Sequence, residues 1–168
     1  MEISDISSIQ LLVPVETFTI RQASLNDIPV IVAQRRRMYE SMGYSDTARL
    51  DAMEAEFTLW LHDHLEDGHY QNWFVVGANG EIAAGAGLWL VDWPPQMMDF
   101  APYRGYVMNV YTEAGYRKRG FAQQLVQAIL DWCHERGIHT VSLHASDCGR
   151  PVYDSLGFKP TNEMRIAI

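Results

Sequence analysis

The sequence lacks the features of a membrane, secreted or nucleic-acid-binding protein. No apolar run in its 168 residues approaches the ~20 residues that a membrane-spanning helix needs, so we expect no membrane contact. Basic residues are few. The chain has 13 Lys and Arg against 21 Asp and Glu, and its net charge of −8 disfavours nucleic acid and anionic lipid as partners. Two cysteines are too few for a disulfide framework.

The amino terminus lacks a secretory signal, because no Lys or Arg precedes Arg21 and the apolar stretch is short. Together with the two thiols, Cys133 and Cys148, this predicts a reducing, cytoplasmic location. Residues 1–15 are interpreted as an N-terminal arm. Residues 16–168 are interpreted as a single domain, in keeping with a prior of about 150 residues per domain.

Hydrophobic periodicity and turn residues predict an α/β domain whose central mixed β-sheet is flanked by about four helices. The predicted helices cover residues 25–42, 50–66, 121–136 and 149–156. The predicted strands cover residues 17–21, 73–77, 81–91, 106–112, 140–145 and 158–168. In the third of these strands, Gly85 and Gly87 leave little side chain, which predicts that another group packs closely against them.

The most distinctive local feature is a basic turn between a buried strand and a long helix. Its residues are Arg117, Lys118, Arg119, Gly120, Phe121 and Ala122. The start of a helix exposes unpaired N–H groups and a partial positive charge, and both attract phosphate. Gly120 allows a phosphate oxygen to approach the backbone, and arginines add charge-assisted hydrogen bonds. The turn therefore predicts a pyrophosphate-binding loop, the alternative being a solvated basic turn.

Two motifs together resemble the GNAT acyltransferase superfamily. The pattern [QR]-x-x-G-x-[GA] at residues 117–122 resembles its acetyl-CoA-binding motif, and residues 152–158 resemble its L-Y-x-x-L-G-F ending. The order of elements also fits, and the resemblance covers about residues 17–168. It implies a GNAT-like acyl-CoA N-acyltransferase fold, acetyl-CoA as cosubstrate, and no metal.

The resemblance implies roles for individual residues. In this family the strand before the loop splays from its neighbour, and its exposed backbone pairs with pantetheine. The N–H groups of Val110 or Thr112 would stabilise the oxyanion, and Tyr153 would protonate the leaving thiolate, the alternative being a core tyrosine. Ser146 stands where an Asn is usual. The residues implied to bind acetyl-CoA are Val110, Tyr111, Thr112, Arg117, Lys118, Arg119, Gly120, Phe121, Ala122, Ser146 and Tyr153.

The sequence leaves the general base open. Tyr106 stands where some family members carry a catalytic Glu. Asp99, Asn109 acting through a water, and His144 are alternatives for the base. A reaction without a dedicated base is a further alternative, because some amines reach such a site neutral.

The acceptor is expected to be an amine. Between Asp46 and His69 the chain has seven acids and one base, a local charge of −6 that would attract a cation, the alternative being a solvated helix face. The resemblance implies direct attack on acetyl-CoA by the amine of a small molecule or of a peptide, either an N-terminus or a lysine. The alternative from another class is a non-catalytic acyl-CoA-binding or regulatory domain. A homodimer is compatible with the resemblance, since small domains of this family often pair.

Two clusters are interpreted as structural. Residues 35–37, three consecutive arginines, are assigned to a helix surface or a dimer contact. His62 and His64 are two apart on a predicted helix, where side chains point away from each other, so we expect them to share no metal ion.

Overall fold

Residues 16–168 are described by a computed structural model, and residues 1–15, the predicted arm, lie outside the described residues. The described chain forms a five-stranded mixed sheet with four α-helices, which confirms the predicted fold class. The strands are β1 (Phe18–Gln22), β2 (Tyr70–Gly77), β3 (Ile82–Asp92), β4 (Tyr103–Thr112) and β5 (Val141–Leu143). The helices are α1 (Ile28–Ser41), α2 (Thr47–Glu66), α3 (Phe121–Glu135) and α4 (Arg150–Ser155). None of these helices has the length and apolar character to cross a bilayer.

The strands follow one another across the sheet in chain order. β1 to β4 are antiparallel to their neighbours, and β5 runs parallel to β4. The predicted Asn79-Gly80 hairpin turn joins β2 to β3, with Gly80 at a φ of 85°. The parallel pairing of β5 requires a crossover, and α3 supplies it.

A hydrophobic core lies on each face of the sheet. On one face, the predicted stripe of α3 buries Leu125, Ile129 and Cys133 against the sheet. On the other face, α1 and α2 bury Ile31 and Leu61. Each fully buried leucine or isoleucine among them stabilises the fold by about 1.5–3 kcal/mol. Helices therefore cover both faces of the sheet.

The predicted last strand, residues 158–168, is wrong. These residues form neither helix nor strand, and Met164 and Ile166 are exposed. Pro160 has no N–H to donate to a ladder, and within residues 16–168 no strand pairs with the segment. β5 is also shorter than predicted, because it pairs with β4 over three residues only.

The predicted close approach to β3 is confirmed. A Cβ at Gly85 would overlap the side-chain oxygen of Gln34, and a Cβ at Gly87 would overlap the hydroxyl of Tyr70. Both groups are buried polar atoms from the α1 and β2 side of the sheet. The two glycines therefore make room for buried polar groups on this face of β3.

Candidate active site

β4 and β5 form a fork. They pair at Gly105–Val141, Tyr106–Ser142 and Val107–Leu143, and no pair beyond Val107 is formed among the described residues. β4 continues to Thr112, and in the described part of the chain only β3 pairs with it there. The backbone of residues 108–112 therefore has an open edge on the β5 side, which is the separation of strands expected for this segment.

A β-bulge lies in β4 just past the vertex of the fork. The register with β3 shifts between Gly85 and Gly87, and Asn109 on the opposite strand has a φ of 55°. Met108 packs on the α1 and α2 side, and Val110 packs against the α3 cluster. A bulge interrupts the ladder and leaves a residue of the strand unpaired. The open edge of β4 thus carries backbone groups that the sheet does not use.

A buried polar network holds the bulge in place. The Asn109 side chain donates to the hydroxyl of Tyr70 at 3.0 Å and accepts a hydrogen bond from Arg35. The hydroxyl of Tyr70 donates in turn to the side-chain oxygen of Asn72 at 3.3 Å. Burial raises the pKa of Tyr70 to about 12, so its hydroxyl stays protonated. Asn tolerates the left-handed region better than most residues, and these bonds keep it there.

The basic turn after β4 is built from two left-handed residues. Lys118 has a φ of 63°, and Gly120, the residue before the first turn of α3, has a φ of 78°. A Cβ at Gly120 would meet only the side-chain nitrogen of Gln124, at 3.9 Å. Glycine is therefore needed at this position for its backbone conformation and not for lack of space. The Nε of Arg117 donates to the carbonyl oxygen of Thr112 at 3.2 Å and ties the turn to the end of β4.

A cleft of about 290 Å³ lies at this turn. Its described lining contains two cations and no carboxylate, and it joins the end of β4, the turn, the start of α3 and Val152 of α4. It brings together six of the predicted site residues: Thr112, Arg117, Lys118, Gly120, Phe121 and Ala122. Positive side chains beside the free N–H groups of a helix start suit a pyrophosphate.

Two predicted residues lie beside the cleft without lining it. The Arg119 guanidinium forms an ion pair with Glu16, so this side chain is already bound to a carboxylate. Arg119 is therefore expected to serve the turn through its backbone. The ring of Tyr111 is buried, with the guanidinium carbons of Arg37 and Arg117 each 5.9 Å from its centroid. Tyr111 can therefore serve a ligand through its backbone, as expected.

α4 carries Tyr153 near the cleft. The ring of Tyr153 is half-buried and meets Phe158 edge to face, with centroids 5.9 Å apart. Burial raises the pKa of Tyr153, and within residues 16–168 its hydroxyl makes no hydrogen bond. A neutral phenol with a free O–H is a proton donor. Ser146 accepts the backbone N–H of Gly149 at 3.2 Å and so positions the start of α4.

Tyr106 and His144 meet at the vertex of the fork. The Tyr106 hydroxyl is hydrogen-bonded to Nδ1 of His144, and the two ring centroids are 5.7 Å apart. His144 directly follows Leu143, the last residue of β5 that pairs with β4. Burial raises the pKa of Tyr106, and the nearby charge of Glu163 raises it further. The pair spans 38 positions of the chain, so no local motif marks it.

Asp99 occupies a structural position. Its carboxylate accepts from Thr140 at 2.9 Å and from the backbone N–H of Ala101 at 3.0 Å, and these bonds lower its pKa. Thr140 precedes β5, whereas the fork opens at the other end of that strand. Asp99 is therefore a poor candidate for the base.

The acidic field predicted for residues 46–69 is partly neutralised. Arg36 binds Asp51 at 2.7 Å and also contacts Glu54. The interpretation of residues 35–37 as a helix surface is wrong for Arg35, which turns inward to Asn109. No local pattern marks this difference, because Arg35, Arg36 and Arg37 have partners on other elements of the fold.

The histidines of α2 have packing roles. His64 stacks on Trp60 with centroids 3.9 Å apart, and its Nδ1 lies 2.8 Å from the carbonyl oxygen of that residue. His62 lies near Asp63 and Glu66, at 3.7 and 3.9 Å. Across residues 16–168, no three His, Cys, Asp or Glu side chains are grouped to hold a metal ion.

Comparisons with known proteins agree on one family. The model of the Acetyltransferase (GNAT) family matches residues 35–158. The crystal structure of a GCN5-related N-acetyltransferase from Ralstonia eutropha JMP134 is 33% identical, has a TM-score of 0.82, and is matched over 90% of this chain and 99% of that chain. No curated protein matches the chain.

Two further structures are similar. A predicted acetyltransferase with acetyl-CoA from Clostridium acetobutylicum is 29% identical, with a TM-score of 0.81 and coverage of 90% of this chain and 96% of that chain. A glucosamine-6-phosphate N-acetyltransferase from Arabidopsis thaliana is 16% identical, with a TM-score of 0.68 and coverage of 91% and 99%. The second likeness concerns the fold alone.

Proposed function

The chain belongs to the GNAT acetyltransferase family, and we propose that it transfers an acetyl group from acetyl-CoA to a primary amine by direct attack. One observation carries this proposal: the open edge of β4 leads into a cleft lined by cations at the start of α3. A thioester laid along that edge would have its pyrophosphate at the cleft.

Acetyl-CoA fits the groups that the fork and the cleft present. Arg117 and Lys118 supply charge, and the first N–H groups of α3 supply donors. Val110, Tyr111 and Thr112 supply backbone groups along the open edge. No metal is part of the proposal, because backbone donors and a phenol suffice for the chemistry described next.

In the proposed reaction the amine nitrogen bonds to the thioester carbonyl carbon, and the bond from that carbon to sulfur breaks. The N–H of Val110 or Thr112 stabilises the charge that develops on the carbonyl oxygen. Tyr153 gives its proton to the leaving sulfur. A thiol is a good leaving group, because its ordinary pKa is only about 8.5, so this step asks little of the phenol.

The acceptor is proposed as a small-molecule amine, with the amine of a peptide N-terminus or lysine as the alternative. The acids on α2 that Arg36 does not bind, such as Glu56, support a cationic acceptor. A non-catalytic acyl-CoA-binding domain is disfavoured by the free, protonated hydroxyl of Tyr153. A cytoplasmic homodimer completes the proposal, and size-exclusion chromatography with light scattering tests the dimer.

The test is release of coenzyme A from acetyl-CoA with spermidine, kanamycin, amino acids and a tetrapeptide as acceptors. We expect turnover with one class, and a kcat about 10- to 100-fold lower in Tyr153→Phe with unchanged affinity for acetyl-CoA. Tyr103→Phe, at the far end of β4, is the matched control. Tight binding of acetyl-CoA without turnover on any acceptor supports the binding domain, and no binding at all overturns the proposal.

A further inference from the structure

The attacking amine must lose a proton, and the proposed function leaves that proton without a destination. Two of the three candidate bases are removed by their contacts. Asp99 is bound by Thr140 at the closed end of β5, and the Asn109 amide donates to Tyr70 and accepts from Arg35. An amide, moreover, has no basic nitrogen.

The third candidate lies at the fork and has a partner. Tyr106 and Ser142 are opposite each other in the β4–β5 register, and His144 is two positions beyond Ser142. Side chains two apart along a strand point to the same face, which explains why Tyr106 and His144 meet. Tyr106 is half-buried, whereas His144 is exposed. The pair thus runs from the interior of the fork to solvent.

We propose that Tyr106 and His144 form a proton relay that serves the acceptor amine, an inference that rests on the proposed acetyl transfer. As the amine attacks, its proton passes to the Tyr106 oxygen, directly or through a water. The Tyr106 proton passes at the same time to Nδ1 of His144. His144 becomes imidazolium and then releases that proton to solvent. The Tyr153 phenolate, which gave its proton to sulfur, takes one back from solvent, so all three side chains return to their starting state.

The surroundings of the two residues explain why Tyr106 receives the amine proton first and His144 second. Tyr106 keeps its proton at neutral pH, because burial raises its pKa, so it cannot act as a free phenolate. It therefore needs a neighbour that takes a proton, and histidine is the side chain that ordinarily changes charge between pH 5 and 8. Other groups facing the pair are Glu163 and Arg165 of the C-terminal segment and Tyr39 of α1. Trp89 of β3 packs on Tyr106.

Chemical rescue tests the relay with the acceptor found above. We expect His144→Ala to lower kcat by about 100-fold while KM for the amine and affinity for acetyl-CoA stay unchanged. Added imidazole should restore part of the rate, because the site of His144 is open to solvent. In the double variant with Tyr106→Phe, imidazole should restore nothing, since the atom that passes the proton is gone.

His62→Ala is the matched control, because His62 is an exposed histidine on α2 away from the fork. Its rate should equal that of the wild type, with and without imidazole. The relay is overturned if His144→Ala turns over at the wild-type rate, or if it loses activity that imidazole does not restore. In either case the proposed function stands as long as the wild-type protein acetylates an amine. A wild type that acetylates none of the amines overturns both.

Discussion

The hydroxyl of Tyr70 occupies the space that a side chain at Gly87 would need. From that place it bonds both Asn72 and Asn109, and Asn109 is the left-handed residue of the bulge in β4. The absence of one side chain on β3 thus allows a phenol to hold the neighbouring strand out of its regular ladder. This contact thus supports the bulge beside the open edge of β4.

Gly87→Ala should therefore destabilise the protein by about 1–3 kcal/mol, because the new methyl group overlaps the hydroxyl of Tyr70, which is fully buried. Urea unfolding followed by fluorescence measures the change. Gly115→Ala is the control, since a Cβ there meets nothing within 4 Å. Equal stabilities of the two variants would contradict the packing described for Tyr70.

Gly120→Ala should weaken acetyl-CoA binding, because alanine resists the left-handed conformation on which the turn depends, at a cost of about 1–2 kcal/mol. Calorimetric titration with acetyl-CoA gives the dissociation constant. Gly43→Ala introduces the same kind of strain at a φ of 94°, after α1 and away from the cleft. It should lose similar stability and keep its affinity. Equal affinities of both variants would refute a role of the turn in binding.

Lys118→Gly should stabilise the fold and weaken acetyl-CoA binding. The lysine is left-handed at a φ of 63°, and glycine relieves that strain for a net gain of up to about 1 kcal/mol. The lost cation reduces affinity, and the difference from the wild type should shrink as salt is added. Lys159→Gly, on the C-terminal segment, is the control and should leave affinity unchanged. A Lys118→Gly variant that binds as tightly as the wild type would argue against an anionic ligand at the cleft.

Asp27→Asn should lower stability at neutral pH and have little effect near pH 2. Arg21 binds the Asp27 carboxylate at 2.7 and 3.0 Å and, as the main cause, lowers its pKa from 3.8 to about 2. A lowered pKa means that the folded state favours the ionised form. The stabilisation is therefore full above about pH 4 and is lost as pH falls through 2.

The expected loss for Asp27→Asn at pH 7 is about 1–2 kcal/mol, reduced from the full linkage value because Arg21 is partly exposed. Urea unfolding at pH 7, 4 and 2.5 measures it. Asp147→Asn, at an exposed position, is the control and should show no such trend. A difference between wild type and Asp27→Asn that stays constant down to pH 2.5 would contradict the ion pair.

Local signals predicted most of the fold. The stripe of Leu125, Ile129 and Cys133 marks α3, and Asn79-Gly80 marks the hairpin, because each pattern is read within a few neighbouring residues. The turn at residues 117–122 was predicted for the same reason, and most of it lines the cleft.

Contacts between distant residues were not predictable. Residues 106–112 read as a continuous buried strand, and nothing in them marks the bulge at Asn109, whose partners are 39 and 74 positions away. The relation of Tyr106 to His144 likewise depends on the parallel register of β4 and β5. Apolar residues at 164, 166 and 168 alternate with other residues, as they do in a strand. This pattern does not show whether a neighbouring strand is available to pair with them.

The three registered pairs between β4 and β5 make the sheet mechanically uneven. β1 to β4 are joined by long antiparallel ladders, whereas β5 is joined to β4 by a short parallel one. His144 directly follows β5, and Tyr153 lies on the next helix. Elements with few pairs open at a lower free energy than the rest of a domain. The seam between β4 and β5 therefore yields first, so the protein can admit a long, narrow molecule between its strands while its two cores stay folded.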